Sequence, residues 1–119
     1  MAVVLKYWIY LIPLAAVAYL LWSRRSAPAG NLKAMLDRNA QVLDVRTKSE
    51  FMSAAHPRAL NIPLDQLQAR AKELDRNRPI LVCCASGSRS GVAVSMLKRA
   101  GFTEVANLGS WRRLHDLLS

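Results

Sequence analysis

The sequence predicts an α/β fold, a small parallel β-sheet flanked by helices, preceded by one transmembrane helix. Two patterns point there. From residue 31 onward, short apolar runs rich in β-branched residues alternate with segments of helical spacing, as in strands laid parallel and joined by helical crossovers. Ahead of them, Tyr7 to Trp22 contains no charged residue, and Val3 to Trp22 contains only Lys6. The chain has 119 residues, which suits one domain with an appendage.

The first element is the apolar run. Twenty helical residues rise about 30 Å, close to the thickness of a bilayer's hydrocarbon core. Tyr7, Trp8 and Tyr10 lie near one end and Tyr19 and Trp22 near the other, where amphipathic rings favour the two interfaces. Pro13 is tolerable in a membrane helix. The rival reading is a cleaved signal peptide, since small residues follow in "SAPA" (26–29). A signal peptide carries its positive charge before the apolar core, however, whereas here Arg24 and Arg25 follow it directly. Residues 1–22 are therefore read as an anchor spanning a lipid bilayer through 3–22. The same arginines place the remainder of the chain on the cytoplasmic side. Residues 23–30, with Pro, Gly and Ala, read as a flexible linker, and 31–119 as the folded domain.

Within that domain "NLKAMLDR" reads as a short helix with Asn31 as its cap and Leu32, Met35 and Leu36 on one face. "QVLDVR" (41–46) is a strand. "TKSEFMSA" opens with Thr47 and carries Glu50 three residues later, which matches a capping box. "LDQLQARAKEL" sets Leu64, Leu67, Ala71 and Leu74 at helical spacing. "PILVCC" is a continuous apolar run, as expected of a strand buried on both faces. "SGVAVSMLKRAG" is a helix stopped at Gly101, "FTEVANL" a third strand, and "SWRRLHDLLS" a closing helix.

The formal net charge is +9. The basic residues are scattered, with no long run and no aromatic interleaving, so a solvated surface beside an anionic membrane is favoured over nucleic-acid binding. The two cysteines, Cys83 and Cys84, are adjacent. They cannot make a disulfide framework and lack the spaced partners of a zinc site, and free thiols suit a reducing compartment.

The stretch "CCASGSRSG" sits where the strand "PILVCC" ends and the next helix begins. Ligands of open parallel sheets bind at that carboxyl end. Unpaired amides at a helix start can aim at one anion and favour a thiolate. Alternation along the strand separates the two cysteines: Cys83 points to the core, with a resolving thiol as the minority reading, and Cys84 points to the loop mouth as a nucleophile. Gly87 supplies the backbone freedom of a tight turn. Arg89 either contacts substrate or pairs internally. Ser86, Ser88 and Ser90 cap and hydrogen-bond locally, and Ser86 or Ser88 can also reach the sulfur. Asp44, Arg46 and Glu50 look catalytic in isolation, His56 reads as a structural or surface residue, and Trp111 either lines the pocket or covers the core, with core favoured.

The segments "LDVRTKSEF", "NIPLDQL", "PILVCCASGSRS" and "LKRAGFTEVANL", followed by a tryptophan, occur in an order that resembles the single-domain rhodaneses, which are thiosulfate sulfurtransferase-like proteins. The resemblance covers about residues 32–117, and it implies that Asp44, Arg46 and Glu50 form a structural charge cluster beside the sheet edge rather than a catalytic set. It implies that Cys84 takes up sulfane sulfur as a persulfide from a small sulfur-containing anion or persulfide donor and passes it to a thiol or cyanide. It implies that the loop Ala85, Ser86, Gly87, Ser88, Arg89 and Ser90 cradles the substrate with its amides, and that no metal or organic cofactor takes part. The spacing Cys-x4-Arg is one residue shorter than in related phosphatases, which makes phosphatase or arsenate-reductase chemistry the weaker reading. The sequence departs from the family at "HPRALNIP" and "NLGSWRRL", both contracted, which keeps a catalytically idle binding module of the same fold as the second hypothesis.

Overall fold

A computed structural model describes residues 2–23 and 27–119. Helix α1 covers Ala2–Ser23, α2 Ala29–Asp37, α3 Lys48–Ser53, α4 Leu67–Arg70, α5 Ser88–Arg99 and α6 Arg113–Leu118. The strands are β1 Gln41–Asp44, β2 Ala59–Asn61, β3 Ile80–Cys84 and β4 Val105–Ser110. The sheet is parallel throughout, in the order β2-β1-β3-β4. Thus β3 is central, and its burial is complete along all five residues, as an apolar run without polar alternation requires.

Two cores lie on the two faces. One packs Leu43, Val45, Ile62, Leu67, Val82, Cys84, Ala93 and Leu97 beneath α4 and α5. The other packs Leu32, Leu36, Val42, Leu81, Cys83, Leu108, Trp111 and Leu114 beneath α2 and α6. Each large side chain buried this way contributes about 1.5–3 kcal/mol. The period of two along β3 therefore puts Val82 and Cys84 in one core and Leu81 and Cys83 in the other, as the sequence predicts.

The expected capping box is present: Glu50 N–H donates to Thr47 Oγ1, and Glu50 Oε1 accepts from Thr47 N–H. Gly101 follows α5 at φ 98°, the left-handed geometry that ends a helix there. Several expectations are corrected. Helix α2 begins at Ala29, two residues before Asn31, with Pro28 at its N-cap and no side-chain cap; proline suits a helix start because its missing N–H is not needed there. The segment 64–74 is not one helix. It runs as a 3-10 turn at Leu64–Gln66, then α4, then a 3-10 turn at Ala71–Glu73. The sheet gains a fourth strand, β2, paired to β1 alone.

Among the described residues, no helix is long and apolar enough to cross a membrane. The transmembrane span expected over 3–22 is corrected accordingly. Helix α1 carries Pro13 in its interior and, among its described side chains, exposes Ile9, Leu11, Ile12, Leu14, Val17, Leu20 and Leu21. Arg24, Arg25 and Ser26 lie outside the described residues, and with them the charge flank used to orient the chain. The segment that follows is fastened at Ala27, whose N–H donates to Asn107 O on β4 at 3.0 Å and whose carbonyl accepts from Arg113 Nη1 on α6 at 3.1 Å.

Candidate functional site at the end of strand β3

Strand β3 delivers Cys84 to the carboxyl edge of the sheet, and α5 starts four residues later. The chain turns sharply between them. Gly87 takes φ 106°, where an L side chain is strained, and this reverses the backbone so that its N–H faces the sulfur. Gly87 N–H donates to Cys84 Sγ at 2.9 Å, and Ser90 Oγ lies 3.5 Å from the same atom. Burial pushes the Cys84 thiol up. The Ser90 hydroxyl and the amides of Ser90, Ser86 and Gly87 outweigh it, and the thiol falls below its ordinary range. The arrangement is an anion cradle with a sulfur at its base.

Cys83 shows the reverse. Burial and the Asp44 carboxylate push its thiol far up, and it stays a neutral core residue. Side chains one position apart on the same strand thus meet opposite environments.

Arg89 is half-buried and pairs internally. Its Nη1 and Nη2 donate to Glu50 Oε1 and Oε2 at 2.7 and 3.0 Å, a two-pronged bond from α5 to α3. Glu50 is held down to about 2 by that Arg89 bond, and Arg89 is raised chiefly by the same bond. The charge cluster expected of Asp44, Arg46 and Glu50 is therefore divided. Asp44 and Arg46 form a buried pair, with Arg46 donating through Nε and Nη2 to both Asp44 oxygens and through Nη2 to Ala54 O. Glu50 turns instead to the loop.

Trp111 is buried, as expected. Its N–H donates to Cys84 O at 2.9 Å, and the guanidinium carbons of Arg46 and Arg112 lie 4.7 and 4.8 Å from its ring centroid. His56 has a partner that its sequence neighbourhood does not reveal: its ring meets that of His115 at 4.7 Å, edge to face. Burial, followed by His115 and Arg58, lowers it. Ser86 and Ser88 place their hydroxyls 3.5 Å apart, and Ala85 is exposed at the loop tip.

One residue escaped the sequence reading. Asn107 on β4 is buried, with Nδ2 donating to Gly87 O at 3.0 Å and Oδ1 accepting from Ser90 Oγ at 2.7 Å and Gly109 N at 2.9 Å. A register shift puts it there: Val82 pairs with Asn107 but Cys83 pairs with Gly109, so Leu108 is an extra residue. A polar side chain inside the apolar run "VANL", two residues before a glycine, was the available signal.

Comparison with known proteins places these features among relatives. A family model described as Rhodanese-like domain matches residues 28–115. The "Putative sulfur carrier protein YrkF" of Bacillus subtilis is 39% identical over 72 residues, covering 60% of this chain and 39% of that protein. The "Thiosulfate sulfurtransferase PspE" of Escherichia coli is 33% identical over 69 residues, covering 56% of this chain and 66% of that one. The chain thus spans less than two thirds of either relative's own length. Among solved structures, a rhodanese-related protein from Thermoplasma volcanium superposes with a TM-score of 0.64 at 31% identity, covering 77% of this chain and 92% of that one.

Proposed function

Because the chain belongs to the rhodanese-like domain family, with residues 28–115 matching that family's model, we propose that it is a sulfurtransferase carrying sulfane sulfur on Cys84. The observation that carries this reading is the Gly87 N–H aimed at Cys84 Sγ at 2.9 Å, within a loop that favours the thiolate. The thiolate attacks the outer sulfur of a donor such as thiosulfate. A Cys84 S–S bond forms, the donor's S–S bond breaks, and sulfite leaves with the bonding pair. A thiophilic acceptor, cyanide or a thiolate, then takes the outer sulfur and returns Cys84 as thiolate.

The loop amides of Ser86, Gly87 and Ser90 stabilise the anionic sulfur through each step, as preorganised donors do at an oxyanion. The exposed Ala85 and Ser86, with the half-buried Ser88 beside them, form the lip past which a donor enters. Arg89 holds the loop closed through Glu50 rather than gripping the donor. The names of the curated relatives, a sulfur carrier and a thiosulfate sulfurtransferase, support this class of reaction.

The test is turnover. Wild-type protein should convert thiosulfate and cyanide to thiocyanate and sulfite, and Cys84→Ser should not. Equal turnover by Cys84→Ser would remove the reading. Inertness of the wild type toward thiosulfate and toward persulfide donors would favour the idle binding module instead.

We further propose that α1 attaches the domain to a lipid surface, with the domain on the cytoplasmic side. The exposed apolar side chains from Ile9 to Trp22 support attachment. Cell fractionation should recover the full chain with membranes, and a variant lacking residues 2–22 in the soluble fraction. Recovery of both in the soluble fraction would contradict it.

A further inference from the structure

We propose that Asn107 is a positioning residue for the sulfur chemistry, acting on Cys84 through the single hydroxyl proton of Ser90. Ser90 Oγ lies 2.7 Å from Asn107 Oδ1, 3.0 Å from Gly87 O and 3.5 Å from Cys84 Sγ. It has one proton and, once the thiol ionises, three acceptors within reach.

The bonding around it permits the proton to move without leaving an orphan. If Ser90 turns its O–H toward the sulfur, Asn107 Oδ1 still accepts from Gly109 N–H at 2.9 Å. Gly87 O still accepts from Asn107 Nδ2 and from Gly91 N–H, each at 3.0 Å. A buried polar group left unpaired would cost about 1–3 kcal/mol, and here none is. The hydroxyl can therefore follow the charge. Against the neutral thiol it accepts S–H and donates to Asn107. Against the thiolate it donates to the sulfur. When the charge passes to the outer atom of a persulfide, the inner sulfur is neutral and the proton returns to Asn107. Throughout, Ser90 keeps its own proton and changes only the acceptor to which it donates.

Asn107 does more than receive that proton. Its Nδ2 fixes the Gly87 carbonyl, and Gly87 is the residue whose N–H meets the sulfur. Its removal frees no proton for the thiolate, because Gly87 O remains as a competing acceptor. What is lost is the alignment of both donors. The charged groups around the loop, the Arg89–Glu50 pair and the buried Arg46–Asp44 pair, are untouched by the substitutions below.

The experiment is a pH titration of the Cys84 thiolate by its ultraviolet absorbance, as a difference against Cys84→Ser, on the full chain. Ser90→Ala and Asn107→Leu should each raise the midpoint by about one pH unit, the scale of one hydrogen bond to a charged atom. The double variant should rise no further than the larger single change. Asn107→Ala, which opens space where leucine fills it, should give the same result and serves if the leucine variant does not fold. A wild-type midpoint in either folded Asn107 variant or in Ser90→Ala would overturn the proposal, and so would shifts that simply add. The proposal rests on Cys84 being the reactive thiol. The titration uses no sulfur donor, so a failure of sulfur transfer and a failure of the Asn107 role are read separately.

Discussion

Glu50→Gln isolates the clamp that closes the loop. Glutamine retains an acceptor for Thr47 N–H and so keeps the capping box, but it loses the charge that Arg89 meets with two bonds at 2.7 and 3.0 Å. Both side chains are about one third exposed, 35% and 36%. Solvent screening therefore places the loss nearer an exposed pair than a buried one, at about 1 kcal/mol. For a domain of this size that is a melting temperature lower by about 5 °C at neutral pH. The pH dependence follows from the direction of the shift. Glu50 is depressed from 4.5 to about 2 in the folded protein. Its contribution is complete above the unfolded value and is lost as pH falls through the folded one. Thermal melts of wild type and Glu50→Gln at a series of pH values should therefore differ at neutral pH and converge between about pH 4.5 and 2. A gap that persists unchanged at the acid end, or no gap at neutral pH, would refute the clamp.

The remaining predictions address the supports of the site. Asp44→Asn leaves the Arg46 charge buried with a weakened partner and should cost about 3–5 kcal/mol by denaturant unfolding, while Asp44→Asn with Arg46→Met should recover part of it; a double variant no more stable than the single would contradict the charge argument. Gly87→Ala puts a side chain at φ 106° and should lose about 1–3 kcal/mol of stability by chemical denaturation; an unchanged unfolding midpoint would mean the turn relaxes. Cys83→Ala should keep persulfide formation intact, since Cys83 lies in the opposite core; loss of persulfide in a folded Cys83→Ala protein would revive the resolving-thiol reading.

What the sequence made legible is what short-range pattern encodes. The separation of Cys83 from Cys84 follows from the two-residue period of a strand, and the Thr47–Glu50 cap from a three-residue spacing. Strand β2 was not legible, because Ala59–Asn61 has only three residues and no apolar alternation, and it exists by pairing with β1. The break in 64–74 was hidden because leucines at three- and four-residue spacing suit α and 3-10 turns alike. The site's long-range bonds were the larger gap. Glu50 and Arg89 are 39 residues apart, and Ser90 and Asn107 are 17 apart. Nothing local in "SEF" or "VANL" announces either partner. The β4 register shift that aims Asn107 at Ser90 is a property of strand pairing, not of composition.

The central claim is that Cys84 carries sulfur, and intact-protein mass spectrometry after incubation with thiosulfate or a persulfide donor tests it most directly. The account predicts a mass gain of one sulfur atom per chain, located on Cys84 by peptide mapping, reversed by cyanide and absent from Cys84→Ser. A wild-type protein that never gains that mass with either donor, or a Cys84→Ser protein that still does, would contradict it.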